Sequence, residues 1–238
     1  MAVILNIETS TNVCSIALSK DFKILSLKES KEEKSHASLL NVFIEEIFKA
    51  NNLTASGLDA VAVGKGPGSF TGLRIGVSVS KGICYGSNTP LIGINTLHTM
   101  AYGMANNSII KSLNLENIRD TWLCPMLDAK RMEVYSAFFD FNNHFKTPVS
   151  AEIINSNSFQ NILTERQVVF FGNGSHKCKN VISHPNAFFI DNIHPSAQNM
   201  ISLAEIAFKN KEFENVAYFQ PFYLKDFVTT TPKKNIFT

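Results

Sequence analysis

The feature that most restricts the fold is a pattern of strands that occurs twice along the chain. An apolar strand that ends at an acidic residue, Glu8, is followed by a strand that returns beside it, and the same arrangement recurs around Asp128. The shift that carries Glu8 onto Asp128 also carries Ala17 onto Ala137. Residue identity between the halves is low, so the repeat is one of pattern. We therefore predict two copies of one structural unit.

Each copy predicts the same order of elements. Predicted strands cover residues 2–7, 13–18, 22–27, 58–63 and 91–94 in the first half, and 122–127, 133–139, 148–154, 167–171 and 187–190 in the second. Predicted helices cover the stretch from Ser35 or Ser38 to residue 50, then residues 69–87, 96–105, 158–163 and 197–209. Strands mixed with helices in this order predict two α/β halves with mixed sheets and a cleft between them. The predicted boundaries are 1–105, 106–225 and a tail at 226–238, with a charged loop at 28–34.

Composition supports a large core and a covered surface. Of the 238 residues, 45% are hydrophobic and 18% are charged, and the usual charged share is about a quarter. A lightly charged chain of this kind suggests that part of its surface is covered by a partner. The net charge is only +2, and no dense basic region occurs. Strong nucleic-acid binding by this chain alone is therefore not expected.

The cysteines and the apolar runs predict a cytoplasmic protein. The four cysteines are far apart and never form a Cys-x-x-Cys pair; they are Cys14, Cys84, Cys124 and Cys178. This favours buried thiols in a reducing compartment over a disulfide or zinc framework. The N-terminus reads as a first strand and not as a signal peptide. No apolar run approaches the roughly 18 residues of a membrane span.

A glycine-rich turn links the fourth strand to the second helix. Gly66 and Gly68 can adopt backbone angles closed to other residues, and Ser69 or Thr71 can cap the helix. Free N–H groups at such a helix start attract an anion, which makes Gly66, Gly68 and Ser69 candidate phosphate ligands. The turn matches neither the Walker pattern nor the dinucleotide fingerprint. A tight turn without a ligand is the equally weighted alternative.

The second helix carries two apolar stripes. One stripe contains Leu73, Val77, Ser80 and Cys84, and the other contains Ile75, Val79, Gly82, Ile83 and Gly86. One stripe can pack on a sheet, so the second implies another packing partner. A glycine inside a helix costs about 1 kcal/mol relative to alanine. The glycines at 76, 82 and 86 therefore suggest a close approach by another backbone.

The glycine-rich block resembles the signature of the TsaB (YeaZ) family. The match is the block at residues 64–76, Gly-Lys-Gly-Pro-Gly-Ser-Phe-Thr-Gly-Leu-Arg-Ile-Gly. Weaker matches are Ile-Glu-Thr-Ser at 7–10, Ser-His at 35–36, Leu-Asp-Ala-Lys-Arg-Met-Glu-Val-Tyr at 127–135 and Pro-Phe-Tyr-Leu-Lys at 221–225. They occur in the order of the family and span almost the whole chain. The repeat itself resembles the actin, hexokinase and Hsp70-like (ASKHA) superfamily, which implies RNase H-like halves.

The resemblance implies a role in bacterial tRNA modification. TsaB-like proteins pair with TsaD, which transfers a threonylcarbamoyl group to the adenosine beside the anticodon. TsaC makes the donor, and the ATPase TsaE joins the complex. The family resemblance further implies a required but non-catalytic partner, contact with tRNA mainly through the complex, and no cofactor of its own. ATP or ADP at the junction with the partners is a further expectation.

The residues themselves also argue against catalysis. TsaD-like enzymes carry Asn-His-x-x-x-His, and the corresponding stretch here begins at Asn95. Thr96 and Met100 then stand at the two metal-ligand positions, and His98 falls between them as a packed or surface histidine. The glycine turn of the enzymes is replaced by residues 128–131, Asp-Ala-Lys-Arg, which cannot admit phosphate oxygens as closely as glycines do. No metal site is predicted.

The expected docking surface lies on the first two long helices. Its predicted residues are Leu39, Val42, Arg74, Ile75, Val79, Gly82, Ile83 and Gly86. We expect this surface to bind the catalytic partner and, in its absence, to form a homodimer. Arg74 is equally consistent with an exposed side chain that has no partner.

The sequence also contains residues that would suit other functions. Glu8 and Asp128 are candidates for paired acids of a phosphotransferase, although capping of their own turns is favoured. Ser10 and His36 are a weak nucleophile and base pair, because no acid orients the histidine. The other candidates are His176, His184 and His194 for zinc and Lys130, Arg131, Lys233 and Lys234 for tRNA, each less favoured than loop or solvated surface. The rival function is an ATP-dependent kinase or hydrolase of the actin-like superfamily, or a metallopeptidase.

Overall fold

A computed structural model of the protein describes residues 2–32 and 36–225. In the first half the strands are β1 (Val3–Glu8), β2 (Cys14–Lys20), β3 (Lys23–Ser30), β4 (Ala60–Gly66) and β5 (Leu91–Asn95). The helices are α1 (His36–Ala50), α2 (Phe70–Ser87) and α3 (Thr96–Ala105). Short 3-10 turns cover Ala55–Gly57 and Ser108–Ser112. The predicted tail at 226–238 and the proposed helix start at Ser35 lie outside the described residues.

The second half repeats the arrangement with shorter elements. Its strands are β6 (Trp122–Asp128), β7 (Glu133–Ser136), β8 (Ser150–Ile153), β9 (Val168–Phe171) and β10 (Ala187–Ile190). Its helices are α4 (Gln160–Leu163), α5 (Ser175–Cys178) and α6 (Ile201–Lys209), the last preceded by a 3-10 turn at Ala197–Met200. None of the helices among the described residues is long and apolar enough to cross a membrane.

The two sheets have the same topology. The first has the order β3-β2-β1-β4-β5 and the second the order β8-β7-β6-β9-β10. In both, the central strand pairs antiparallel with the strand that follows it and parallel with the fourth. Ile7 pairs with Ile16 and Val63, and Leu127 pairs with Tyr135. The predicted repeat and the mixed-sheet α/β fold are confirmed.

Alternation along β1 separates two helix layers on the first sheet. Leu5 and Ile7 face the core that contains α1 and α2, where Leu40 and Val77 are buried. Ile4 faces the opposite layer and packs with α6. Helix α6 thus covers the first sheet although it follows the second along the chain. We call the first sheet with α1, α2 and α6 the first lobe.

The second sheet is covered by helices from both halves of the sequence. Leu97 and Met100 of α3 are buried with Leu123 and Leu127 of β6. Helices α4 and α5 pack on the other side, where Leu163 and Cys178 are fully buried. We call the second sheet with α3, α4 and α5 the second lobe. Each lobe therefore contains a helix encoded in the half of the sequence that supplies the other sheet.

Two predicted boundaries were wrong. The stretch beginning at Lys28 was expected to be a charged loop, but β3 continues to Ser30. Lys28 forms an ion pair with Glu46 of α1 at 2.8 Å, and Glu29 accepts a hydrogen bond from the Ser15 hydroxyl at 2.7 Å. These contacts let charged residues occupy an edge strand. Strand β7 ends at Ser136 and not at 139, beyond which only isolated bridges continue the pairing.

Candidate functional site

The glycine-rich turn packs directly on the turn that follows β1. The Ser69 N–H donates to the Ser10 carbonyl at 2.6 Å, and the Thr9 hydroxyl donates to the Gly72 carbonyl at 2.8 Å. A Cβ at Gly68 would collide with the Ser10 carbonyl oxygen, and one at Gly72 with the Thr9 carbonyl oxygen. Glycine is required at both positions because two backbones meet there.

Ser69 caps α2; the sequence had predicted either Ser69 or Thr71 as the cap. Its hydroxyl accepts a hydrogen bond from the Gly72 N–H at 3.3 Å. The N–H groups of Ser69 and Gly72 therefore have partners within the chain, so neither is open to an anion without rearrangement. Gly66 lies at the end of β4 with φ +104°, beside the carbonyl of Phe222. An anion bound by Gly66, Gly68 and Ser69 stays a prediction.

Glu8 and Asp128 cap their own turns. The Ser10 N–H donates to Glu8 at 2.7 Å, and the Lys130 N–H donates to Asp128 at 3.1 Å. Glu8 is fully buried, and a Cβ at Gly64 would lie 2.8 Å from its carboxyl carbon. Burial raises the pKa of the Glu8 carboxyl, against the hydrogen bonds from Ser10 and Thr96. The favoured interpretation of these two acids as turn caps is confirmed.

The basic turn between β6 and β7 differs from a glycine turn. Lys130 and Arg131 both have positive φ, at 69° and 49°. The backbone at both residues is therefore in the left-handed region, which usually favours glycine or asparagine. The Lys177 ammonium contacts the Asp128 carboxylate and holds this turn against α5. The turn is shaped by internal contacts of the second lobe.

A cleft of about 930 Å³ separates the two lobes. One wall comes from the first lobe, with Ser10, His36 and the glycine-rich turn. The other comes from the ends of β6 and β9, with Asp128 and Asn173. The predicted cleft between halves is therefore present. It lies where the carboxyl ends of parallel strands meet, the usual position for a ligand in α/β sheets.

Residues 219–225 run along the mouth of this cleft, and we call them the C-terminal strap. The Phe222 N–H donates to the Lys65 carbonyl at 2.7 Å, and the Tyr223 ring lies 5.0 Å from that of Phe70. At the far end, Lys225 forms an ion pair with Glu133 of β7. The strap therefore contacts both lobes. This segment was assigned to the second half from the sequence, with no strand or helix predicted in it.

Arg74 is held by the strap. Its guanidinium lies 4.1 Å from the centroid of the Phe70 ring, and its Nε donates to the Tyr223 hydroxyl at 3.4 Å. The two predicted alternatives were a partner contact and an exposed side chain without a partner. Within the chain, Arg74 has partners, and whether it also contacts another protein stays a prediction.

The predicted docking residues lie on two helices, α1 and α2. The partly buried apolar residues of this set pack against the first-lobe core; they are Leu39, Ile75, Val79 and Ile83. Val42 is 45% exposed. Cβ atoms at Gly82 and Gly86 would have no heavy atom within 4 Å, apart from the helix itself. Close packing within the described part of the chain therefore does not require glycine at these two positions.

Two exposed tyrosines near this surface were missed by sequence reasoning. Tyr85 of α2 is 88% exposed and Tyr218, before the strap, is 82% exposed. The Lys81 ammonium donates to the carbonyls of Ala217 and Phe219, both at 3.1 Å, and so ties α2 to this segment. The spacing of Tyr85 from Gly82 places both on one side of α2, and this signal was available from the sequence.

His98 is packed inside the second lobe. Its Nε2 lies 3.0 Å from the Asn143 carbonyl, and its ring stacks on Phe139 at 5.5 Å. Burial lowers the pKa of His98. Thr96 and Met100, at the positions of the enzyme's metal ligands, are both buried. The interpretation of His98 as a packed histidine is confirmed.

The remaining histidines and cysteines have separate environments. His36 is buried with Nε2 at 3.2 Å from the Val13 carbonyl, and His176 lies beside Asp191 at 3.6 Å. No three His, Cys, Asp or Glu side chains within 2–32 and 36–225 are arranged to hold a metal ion. All four cysteines are free and buried, and burial raises the pKa of Cys84 to about 12.

Comparison with known proteins gives consistent matches over most of the chain. The family model described as "TsaD: tRNA N6-adenosine threonylcarbamoyltransferase" matches residues 30–233. A protein of Buchnera aphidicola named "tRNA threonylcarbamoyladenosine biosynthesis protein TsaB" is 32% identical over 222 residues, covering 89% of this chain and 94% of its own. The protein of the same name from Haemophilus influenzae is 27% identical over 235 residues, covering 95% and 94%.

The fold matches solved structures as well. The structure titled "YeaZ from Pseudomonas aeruginosa" superposes with a TM-score of 0.77 at 23% identity, covering 94% of this chain and all of that one. A second structure from that organism, described as similar to the peptidase YEAZ, has a TM-score of 0.80 at 22% identity, with the same coverage. At this level of identity the structural likeness supports the two-lobed fold.

Proposed function

The chain belongs to the TsaB (YeaZ) family, and from this membership we propose that it acts in tRNA threonylcarbamoyladenosine biosynthesis by binding and activating a TsaD-like catalytic partner. It contributes no reactive centre of its own in this proposal. A TsaE-like ATPase joins the assembly, and tRNA is contacted mainly through the complex.

The observation that carries the proposal is the outward surface of α2. Gly82 and Gly86 are exposed and unconstrained by the described part of the chain. Each glycine makes the helix about 1 kcal/mol less stable than alanine does. That cost is offset if a partner helix approaches the bare backbone at these positions. The apolar side chains of Val79 and Ile83 lie beside them and supply contact area.

The residues at the former metal-ligand positions support a non-catalytic role. Thr96 donates a hydrogen bond to Glu8 at 3.4 Å, and Met100 is buried beneath the second sheet. Both side chains are therefore committed to the interior of the protein. The lone histidine between them contacts a backbone carbonyl and two phenylalanine rings.

Val79→Glu tests the docking surface. The carboxylate would be buried against an apolar partner surface, so we expect capture of the TsaD-like partner to fall by at least tenfold. Pull-down with the purified partner measures this, and circular dichroism checks that the variant folds. Ile206→Glu on α6 is the control, because Ile206 is an apolar helix residue, 49% exposed, on the helix that covers the opposite face of the first sheet from α1 and α2.

Normal capture of the partner by Val79→Glu would contradict the docking surface.

Calorimetry with ATP and Mg²⁺ addresses the non-catalytic role. Turnover by the isolated chain would instead favour an ATP-dependent enzyme of the actin-like superfamily. If a nucleotide binds at the junction with the partners, near Gly66, Gly68 and Ser69, ATP or ADP should bind to the assembled complex and not to the isolated chain.

A further inference from the structure

A second cavity, of about 560 Å³, lies at the other end of the second sheet. It is bordered by Trp122, the first residue of β6, whereas the cleft is bordered by Asp128, the last. It also includes Arg166, which precedes β9, whereas Asn173 of the cleft follows that strand. The cavity is therefore separated from the cleft by the length of the strands.

The ionic side chains of this cavity are three cations and two carboxylates. The carboxylates already have partners. Asp140 accepts the His144 N–H at 2.9 Å and the Lys146 ammonium at 2.8 Å, and its side chain is only 12% exposed. Asp120 accepts a hydrogen bond from the side-chain amide of Asn117. The acids are thus satisfied by the chain itself.

Arg166 is held in one orientation. Its guanidinium carbon lies 4.2 Å from the centroid of the Trp122 ring, and Nη2 donates to Glu165 at 3.2 Å. Stacking on the indole fixes the plane of the guanidinium but occupies only its face. The remaining N–H donors at its edge stay available to an acceptor, because arginine carries five.

Arg119 has an exposed side chain. Its backbone N–H donates to Asn117 at 3.1 Å, but its guanidinium makes no hydrogen bond or ion pair with residues 2–32 or 36–225. It borders the same cavity as Arg166 and Lys146. The two guanidinium groups around one polar cavity form an arrangement suited to an oxyanion with several acceptor oxygens, whereas the charge of Lys146 is balanced by Asp140.

We propose that this cavity binds a phosphate group of an RNA backbone, with the guanidinium groups of Arg119 and Arg166 donating hydrogen bonds to its oxygens. The anionic chemistry follows from the lining of the cavity. The choice of RNA rests on the proposed function, since that function brings the chain next to tRNA. The volume exceeds that of a single phosphate and leaves room for the adjoining sugar.

The test uses the full-length chain, alone and with its TsaD-like partner. Trp122 is the only tryptophan, so its emission in the isolated chain reports on this cavity. An unmodified tRNA transcript, inorganic phosphate and AMP are titrated separately. Affinity of the complex for labelled tRNA is measured by anisotropy over a range of salt concentrations.

We expect Arg119→Gln to weaken tRNA binding about tenfold and to reduce the slope of log K against log salt by about one. Because the Arg119 side chain has no partner among the residues that the structure describes, the substitution is not expected to perturb folding. Lys20→Gln is the control. It removes an exposed positive charge at the end of β2 in the first lobe, on the other sheet, and should leave affinity and slope unchanged.

Unchanged tRNA binding by Arg119→Gln, or equal losses in both variants, would overturn the inference. So would the absence of measurable tRNA binding in either form, or a Trp122 response that saturates with phosphate or AMP but not with tRNA. Partner capture separates the two proposals. If the chain captures its TsaD-like partner but Arg119→Gln leaves tRNA affinity unchanged, only this inference is contradicted. If the wild-type chain does not capture the partner, the proposed function is contradicted.

Discussion

At the scale of single residues, the glycines of α2 fall into two groups. A Cβ at Gly76 would collide with the Thr9 hydroxyl oxygen, so this glycine is required by the fold. Gly82 and Gly86 face open space in the described chain. The same residue type on the same helix thus serves internal packing at one position and is free for an external contact at the others.

Alanine substitution separates these groups. Gly82→Ala should raise the free energy of unfolding by about 0.5 to 1 kcal/mol, because alanine is the better helix former, and should weaken capture of the partner. Gly76→Ala should lower the free energy of unfolding by more than 1 kcal/mol, because the new methyl group displaces Thr9. Urea denaturation and pull-down measure the two effects. A Gly82→Ala variant that is stabilised and binds normally would remove this glycine from the docking surface.

At the scale of elements, the strap changes character along its length. It begins at Phe219, which is 8% exposed and belongs to the first-lobe core. It ends at Lys225, which forms an ion pair with Glu133; the lysine side chain is 45% exposed and the glutamate side chain 17%. Between them, Tyr223 contacts Phe70 and Arg74 at the start of α2. The strap is therefore anchored on the first lobe and only lightly attached to the second.

Two substitutions in the strap should differ strongly in effect. Phe219→Ala should lower the free energy of unfolding by about 3 kcal/mol, because it leaves a cavity in the core. Lys225→Met should lower it by only about 1 kcal/mol, since the Lys225 ammonium is partly exposed and water screens its ion pair with Glu133. Chemical denaturation of both variants measures the difference. Similar losses would show that the strap holds the two lobes with equal strength.

At the scale of the whole molecule, exchange of helices joins the lobes. Helix α3 follows the first sheet but buries Leu97 and Met100 beneath the second. Helix α6 follows the second sheet but buries Ala204 against the first. Neither lobe is therefore a continuous piece of the chain. The strands of the two sheets come from separate parts of the chain, whereas helices α3 and α6 each pack on the sheet of the other part.

The docking surface also predicts the oligomeric state. Without its partner, the chain should form a homodimer through α1 and α2, because an apolar surface left open tends to self-associate. Val79→Glu should be monomeric in analytical ultracentrifugation, and Ile206→Glu should remain dimeric. Addition of the TsaD-like partner should replace the homodimer by a heterodimer. A wild-type chain that is monomeric at all concentrations would argue against self-association through this surface.

The sequence by itself determined the elements and their repetition. Apolar alternation located both sheets, and the stripe at Leu73, Val77 and Cys84 identified the buried side of α2, because burial depends on local periodicity. The glycine-rich block, with four weaker matches, indicated the family. It also indicated that His98 is not a ligand, since Thr96 and Met100 occupy the ligand positions.

Only the tertiary structure decided which distant segments meet. Periodicity marks a face as apolar but does not name the surface it packs on, so the exchange of α3 and α6 between the sheets was not predictable. The same holds for the strap and for the cavity beside Trp122, where Arg119, Lys146 and Arg166 come from three separate loops. Such contacts depend on the path of the whole chain, and no single stretch of sequence encodes them.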